Sequence, residues 1–459
     1  MVWFTVFYEV GCFAPLHSLP RCVTAFHRLS KNGFATAFGA GWGALTGGIF
    51  FFRRRYTFSP CSPFSEGMSQ RRIIMSVTND LVTDQRVHRS CTALAEAGYD
   101  VTLVGRRLRG SAEVRRPYRT VRMRLLFKRK AVFYAEYNLR LFLKLMFARA
   151  DAFYANDTDT LPACWLASRL RGKGLFLDAH EMFPEVPELV GRPRVKRVWT
   201  FIEDRLFPRL KGRRCAAVTV CQSIADIYRQ RYGLSMGVVR NVPMPSAQHT
   251  SEAKLPADFD SRVGSRRILL YQGAVNIGRG VDWMIDAMTY LPDCELVVAG
   301  VGDEYEAMCR RAAGHDNVLM LGRVEPDALR RMTPRASLGL SLLENRGLNY
   351  YYSLPNRIAD FVQAGVPVLA TDFPEIRRVV EGYGIGTLVP AVPFDAARGV
   401  SQPPDARQLA ATVRAALASW DAVDADERRQ RFGRAAAELS FERDKKTLLS
   451  AVDTIFRTN

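Results

Sequence analysis

The chain has 459 residues, 48% of them hydrophobic and 24% charged, which excludes a disordered polymer and supplies core for two or three globular domains. Its 65 Lys and Arg against 46 Asp and Glu leave a net charge of +19, suited to an anionic surface or substrate. Nucleic acid is set aside, because no zinc-finger spacing or RNA-binding aromatic signature is present. Nine cysteines, an odd number without a CxxC pair, exclude a disulfide framework and a zinc site and fit reduced core residues of a cytosolic protein.

Residues 1–67 show no periodicity. Within them, GFATAFGAGWGALTGGIFFF (33–52) is an uncharged run followed by three arginines, as a membrane anchor with a cytoplasmic stop is. Six of its twenty residues are glycine, which weakens a helix, and Arg21, Arg28 and Lys31 blunt the charge asymmetry. The expectation is a disordered extension, with a weak anchor as the alternative, and a fold that begins at Met68.

From there the pattern alternates strand and helix. RRIIMSV is a short buried strand, DQRVHRSCTALAEAGY places Val87, Cys91, Leu94 and Ala95 on one helical face with Gly98 as the stop, and DVTLVG is the next strand. Between Gly105 and Ala150, fourteen Lys or Arg stand against two Glu, interleaved with aromatics in FKRKAVFYAEYNLRLFLKLMFARA. At helical spacing this segment is basic and amphipathic. It suits either docking to an anionic lipid surface or a solvated helix with a buried aromatic side. GLFLDA, AAVTVC and GVVRNV extend the same parallel sheet and complete an N-terminal domain, 68–242, and PMPSAQHTSEAKLPADFDSRVGS, 243–265, reads as a linker.

A second α/β unit spans 266–440, with strands RILLYQG, CELVVAG, NVLML, LGLSL, PVLAT and GTLV, each trailed by a helical stretch, and 441–459 forms a last helix packing back on the N-terminal domain. The fold class is α/β, two doubly wound Rossmann-like domains facing across a cleft. Ligands bind outside the carboxyl ends of the strands in such sheets, so the loops there carry the chemistry.

The first of those loops in the second domain is QGAVNIGRG. Gly273, Gly278 and Gly280 let backbone approach an anion and Arg279 adds a fixed charge, the makings of a diphosphate site or of a turn that only packs. Glu344 follows LGLSL at a strand end. Pro355 then starts a helix whose free amides, with Ser353, Asn356 and Arg357, suit a second face of the diphosphate. Asp360 on that helix suits ribose hydroxyls, or a plain surface role. Across the cleft, Asn79, Asp80 and Asp84 gather at the first strand's end as acceptor-side candidates, Asp84 equally a helix cap, and DAHE places His180 and Glu181 after another strand.

In order and spacing, SVTNDLVTDQRVHRSCTALAEAGYDVTLVGR, DAHEMFPEVPEL, VCQSIADIYRQRYG, VVRNVP, GAVNIGRG and SLPNRIADFVQAGVPVLATD resemble the retaining GT-B glycosyltransferases of family 4, over residues 70–455. The resemblance implies sugar transfer from a nucleotide-sugar donor to a hydroxyl acceptor, a glycan or lipid-linked glycan, with retention and without a metal or other cofactor. It places the family's first donor-site acid on Glu344, its ribose-binding acid on Asp360, an Asp where Glu is usual, and its cleft histidine on His180, with Glu181 orienting it. The family's two phosphate-binding cations fall on Ala274 and Arg279, so one charge is missing and Arg357 stands in. Fifteen residues separate Glu344 from Asp360, more than the family's usual spacing, and the insertion contains NYYYS. The implied location is cytoplasmic, peripheral on the inner membrane face. Two alternatives stand beside it, a same-fold sugar-nucleotide epimerase and a non-catalytic, basic membrane-surface binder.

Overall fold

The computed structural model describes residues 70–457 apart from 83, 190, 243–253, 263, 265, 392, 393 and 396–399. The expectations for 1–67 and for the first part of the linker lie outside the described residues.

The N-terminal half holds a seven-stranded sheet and the C-terminal half a six-stranded one. In the first, β1 (Arg72–Asp80), β2 (Asp100–Arg106), β3 (Arg119–Met123), β4 (Ala152–Asn156), β5 (Gly174–Ala179), β6 (Cys215–Thr219) and β7 (Gly237–Val238) take the order β3-β2-β1-β4-β5-β6-β7. Every pairing is parallel. In the second, β8 (Arg267–Gln272), β9 (Cys294–Ala299), β10 (Val318–Gly322), β11 (Leu338–Ser341), β12 (Val368–Thr371) and β13 (Gly386–Val389) take the order β10-β9-β8-β11-β12-β13, again all parallel. Chain direction across each sheet reverses once, between β1 and β4 and between β8 and β11. Those two switch points are where a doubly wound sheet opens a crevice for a ligand.

Both faces of the central strands of each sheet are buried, as helical crossovers require. Along β1, Ile73, Met75 and Val77 enter one apolar cluster and Ile74 the other. On β8, Ile268 and Leu270 join the first cluster, while Leu269 and Tyr271 belong to a third. The first cluster runs through both halves and takes in Phe441, Leu448 and Val452 of the helix Phe441–Thr454 and Ile455 just after it. That helix lies on the N-terminal half, where Asp444 accepts from the Arg240 backbone amide at 2.7 Å and Lys445 pairs with Glu96 at 2.6 Å.

Three local expectations need correction. β3 and β4 were absent from the strands read in sequence: β3 is a basic edge strand, RTVRM, and β4 is five residues of buried AFYAN directly behind the basic helical stretch, so their short runs carry little pattern. GVVRNV forms a strand only at Gly237–Val238: the Val239 amide still donates to the Thr219 carbonyl at 2.8 Å, and from Arg240 the chain turns to Asp444. The segment taken as linker contains a helix, Ala257–Arg262, whose Phe259 is fully buried and whose Asp260 pairs with Arg335 at 2.6 Å. With one large apolar residue in six, that helix shows no period.

Candidate active site

The strand ends at the two switch points face one another. On the C-terminal side, β8 leads into Gly273, whose φ of +119° is open to glycine and which lies against the Arg357 guanidinium: a Cβ there would stand 3.5 Å from Nη2. Arg357 opens the helix Asn356–Gln363, which forms because Pro355 enters it extended and Ile358, Ala359, Phe361 and Val362 give it a buried face. Phe361 sits over Gly339 of β11, where any Cβ would clash at 2.5 Å. Packing therefore fixes how Arg357 enters the crevice.

Arg357 is 7% exposed, stacks on the Tyr271 ring at 4.1 Å and leaves Nη1 buried without a partner. Burial holds its pKa below the usual arginine value, with the neighbouring Arg279 adding repulsion. Arg279 stacks on Tyr350 at 4.7 Å and leaves its Nε unpartnered. Two adjacent guanidinium groups without a carboxylate among the described ion pairs have the chemistry to take up a multiply charged anion.

Asp360 accepts from Gln272 Nε2 at 3.1 Å. Burial raises its pKa against the pull of Gln272, Arg89, Arg357 and Arg330, and Arg89 belongs to the N-terminal half. Ser353 is half-buried with its hydroxyl on the Tyr350 carbonyl, while Asn356 is exposed at the helix start. Glu344 is held by its amide on the Gly278 carbonyl at 3.0 Å and pairs with Arg346 at 3.0 Å. Burial raises its pKa, opposed by Arg346 and reinforced by Asp282 and Glu304. With Asn276, Arg279, Asp282 and Glu304 it lines a cavity of about 120 Å³.

The N-terminal wall is built on β4 and β5. His180 follows β5, its backbone amide donating to Asp157 Oδ1 at 3.0 Å, its Nδ1 3.5 Å from Asp157 Oδ2 and its Nε2 3.3 Å from Asp178 Oδ2. Asp178 is fully buried and bound by Arg86 at 2.6 Å and by the Tyr154 hydroxyl at 2.9 Å. Burial opposes charge on the His180 ring, but Asp178 and Asp157 outweigh it, partly cancelled by Arg86, and the pKa is raised. Glu181 is exposed, and its carbonyl accepts from Tyr228.

The loop candidates divide. Asp84 caps the helix Gln85–Glu96 through the Val87 amide at 3.0 Å and accepts from Asn79 at the same distance, and Asn79 is exposed. Asp80 is 6% exposed and taken up by the fold: it receives the Leu108 and Val82 amides and pairs with Arg122 at 2.7 Å, so its acceptor-side role gives way to a structural one. Sequence reading passed over Arg86, Asp157, Asp178, Arg346 and Asn349. The acidic doublet in NDTDT after a buried strand was the one signal for Asp157.

The two walls touch through the insertion. Asn349 Oδ1 accepts from the Met182 amide at 3.0 Å, the Tyr352 carbonyl accepts from Cys221 Sγ at 3.1 Å, and Glu375 accepts from the Ser223 amide at 2.8 Å. Among the described residues no cluster of His, Cys, Asp or Glu is arranged to hold a metal ion.

Comparison with known families assigns both halves. Residues 84–244 match the model for Glycosyltransferase Family 4, and residues 266–418 that for Glycosyl transferases group 1. The chain belongs to the GT4-type glycosyltransferases. It is thus a sugar-transferring enzyme, and its architecture is GT-B. Sucrose-phosphate synthase from Thermosynechococcus elongatus is similar in fold, with a TM-score of 0.63 at 17% identity over 84% of this chain and 99% of that one. WaaG, a glycosyltransferase involved in lipopolysaccharide biosynthesis, gives 0.58 at 15% over 83% and 99%. Anabaena HepE, solved with UDP, gives 0.58 at 12% over 84% and 100%. No curated protein matches the sequence.

Proposed function

We propose that the enzyme transfers a sugar from a nucleoside-diphosphate sugar to a hydroxyl of a glycan or lipid-linked glycan, with retention, at the cytoplasmic face of an anionic membrane. The observation that carries the donor assignment is Arg357, buried with a free N–H beside Arg279 at the β8 switch point. A diphosphate supplies the missing acceptors. Asp360 beside Gln272 takes the ribose, the 273–280 loop and the start of the Asn356–Gln363 helix flank the phosphates, and Glu344 and His180 approach the sugar from opposite walls. The binding of UDP by the Anabaena structure supports the same donor class.

The chemistry follows from the leaving group. The bond from the anomeric carbon to the diphosphate oxygen breaks as the two arginines take up the developing charge. The acceptor oxygen forms its bond on the face just vacated, and its proton passes to the departing phosphate oxygen. No cofactor enters that sequence.

The membrane assignment rests on the helix Lys130–Phe147. Phe133, Tyr137, Leu141 and Leu145 are buried, while Leu139, Leu143 and Phe147 form a stripe 53%, 49% and 84% exposed, beside Arg140 and Lys144. Leu126 and Phe127, also exposed, precede it among Lys128, Arg129 and Lys130. A groove of about 490 Å³ adjoins the helix, lined by Ile74, Val104 and Val121 together with Lys144 and Arg149, and with Arg72 and Arg119 paired to Asp100. Apolar residues framed by cations match an anionic interface, each cation contributing about 1 kcal/mol. No described helix is long and apolar enough to cross a membrane.

Two measurements test these assignments. Incubation with a panel of nucleotide sugars should release nucleoside diphosphate from one of them, slowly without acceptor. Release of none would leave a binder, and conversion to an epimeric sugar nucleotide would give the epimerase. Chain beginning at Met68 should pellet with anionic vesicles at low salt and come off at high salt. Failure to pellet while full-length chain stays bound in high salt would place the anchor in residues 33–52.

A further inference from the structure

Asp157 is one of two non-glycine residues with positive φ among the described residues, at +67°. A left-handed backbone costs a side-chain-bearing residue about 1 kcal/mol or more, least for Asn and Asp, and such sites persist where the surroundings hold them. The strained residue stands just past β4, at the N-terminal switch point, and among the described residues its carboxylate meets His180. One oxygen receives the His180 amide at 3.0 Å and the other lies 3.5 Å from His180 Nδ1, while Asp178 flanks Nε2 at 3.3 Å.

We propose that Asp157 is a positioning residue that acts through His180, clamping the loop after β5 through the backbone amide and orienting the imidazole between two carboxylates. The link to catalysis rests on the reading of His180 as a sugar-side residue; the link between Asp157 and the ring's charge does not. The groups packed on this pair come from every adjoining element. Tyr154 and Asp159 lie with β4 and its loop, Asp178 on β5, Arg86 on the helix Gln85–Glu96, Glu203 on the helix Pro193–Leu206 and Tyr228 on the helix Gln222–Tyr232. Arg86 is bound to Asp178, Asp159 to Thr78, and Glu203 to Thr158. Asp178 shares its carboxylate among His180, Arg86 and Tyr154, whereas the side-chain contact of Asp157 is with His180. Burial pushes the Asp157 carboxyl up to about 7 against the pull of His180, and the two groups titrate as a coupled pair.

Asp157→Asn is the informative substitution, because Asn tolerates the left-handed backbone and still accepts the His180 amide while losing the charge. Histidine-labelled protein carries six imidazoles, and the His180 signal is found by its loss in His180→Gln. In the native chain that signal should titrate above the ordinary value of about 6.5. In Asp157→Asn it should fall by about one unit, the scale of losing an opposite charge within a few ångströms. The alkaline limb of kcat/KM should move down with it. An unchanged His180 titration in Asp157→Asn overturns the proposal, as does an activity loss with an unmoved pH profile, the mark of a merely structural residue. If Asp157→Asn does not fold, Asp157→Gly, which also suits the left-handed backbone, is read in the same way, and an unlowered His180 titration in it overturns the proposal. If no nucleotide sugar is turned over while the titration behaves as described, the transferase reading falls and the clamp on His180 stands.

Discussion

Replacing Arg357 by Met should weaken nucleoside-diphosphate binding without weakening the fold. The guanidinium is 7% exposed, has an unpartnered Nη1 and is repelled by Arg279, so in the empty protein it is a buried charge left short of acceptors. Removing an unsatisfied buried donor recovers about 1–3 kcal/mol. Against this stands the stacking on Tyr271 at 4.1 Å, worth about 0.5–2 kcal/mol and partly kept by the thioether side chain. The melting temperature of the ligand-free protein should therefore hold or rise. Binding loses a hydrogen-bonded charge contact of about 1.5–3 kcal/mol, which is roughly a 10- to 150-fold increase in Kd. Calorimetric titration with uridine, guanosine and adenosine diphosphates, alongside thermal melts with and without nucleotide, separates the two effects. An affinity within twofold of the native protein for every nucleotide would refute the diphosphate assignment. A melting temperature that falls by several degrees would show that the guanidinium supports the fold instead.

Glu344→Gln keeps the shape and removes the charge, so steady-state assays should show turnover reduced by about 10- to 1000-fold, the scale of losing one preorganised electrostatic contributor; equal turnover would make the Glu344–Arg346 pair structural only. Burial pushes the Glu203 carboxyl up to about 8. The folded chain thus keeps a proton that the unfolded chain releases near pH 4.5, and stability falls as pH rises from about 5 to about 8. Glu203→Gln removes that loss, so its melting temperature should pull ahead of the native value across this window, and parallel curves would count against a buried protonated acid.

The second sheet was readable strand by strand because RILLYQG, CELVVAG and PVLAT are short apolar runs with turn residues on both sides. Each of β8, β9 and β12 is fully buried apart from its first residue at most. β4 escaped for the opposite reason, lying against a long helical pattern with no glycine or proline to separate them. Arg279, Arg357, Asp360 and Glu344 were visible because a strand end followed by glycines or Pro marks where a ligand meets backbone. Asp157 and Asp178 were not, since what singles them out is a neighbouring strand. Parallel pairing sets Asn156 beside Asp178, which brings the loop after β4 against the end of β5. No local pattern encodes which strands are adjacent.

The insertion between Glu344 and Asp360 shows what sequence spacing leaves open. Its extra residues are a bridge: the helix Leu348–Tyr351 carries Asn349 onto the Met182 amide, two residues beyond His180, and the Tyr352 carbonyl takes the Cys221 thiol. The same loop supplies Arg346 to Glu344 and Tyr350 to Arg279. Two neutral hydrogen bonds are worth about 1 kcal/mol each, so widening the cleft at this point costs about 2 kcal/mol before Glu375 releases Ser223. One arginine contact to the diphosphate is of the same size or larger. On the proposed donor assignment, donor binding and closure of the walls are therefore comparable in energy, and Glu344 and Arg279 are held by Arg346 and Tyr350 of the loop that joins the walls. A substitution in the bridge should accordingly disturb sugar positioning and domain closure together, whereas one at Asp360, outside it, should disturb nucleotide binding alone.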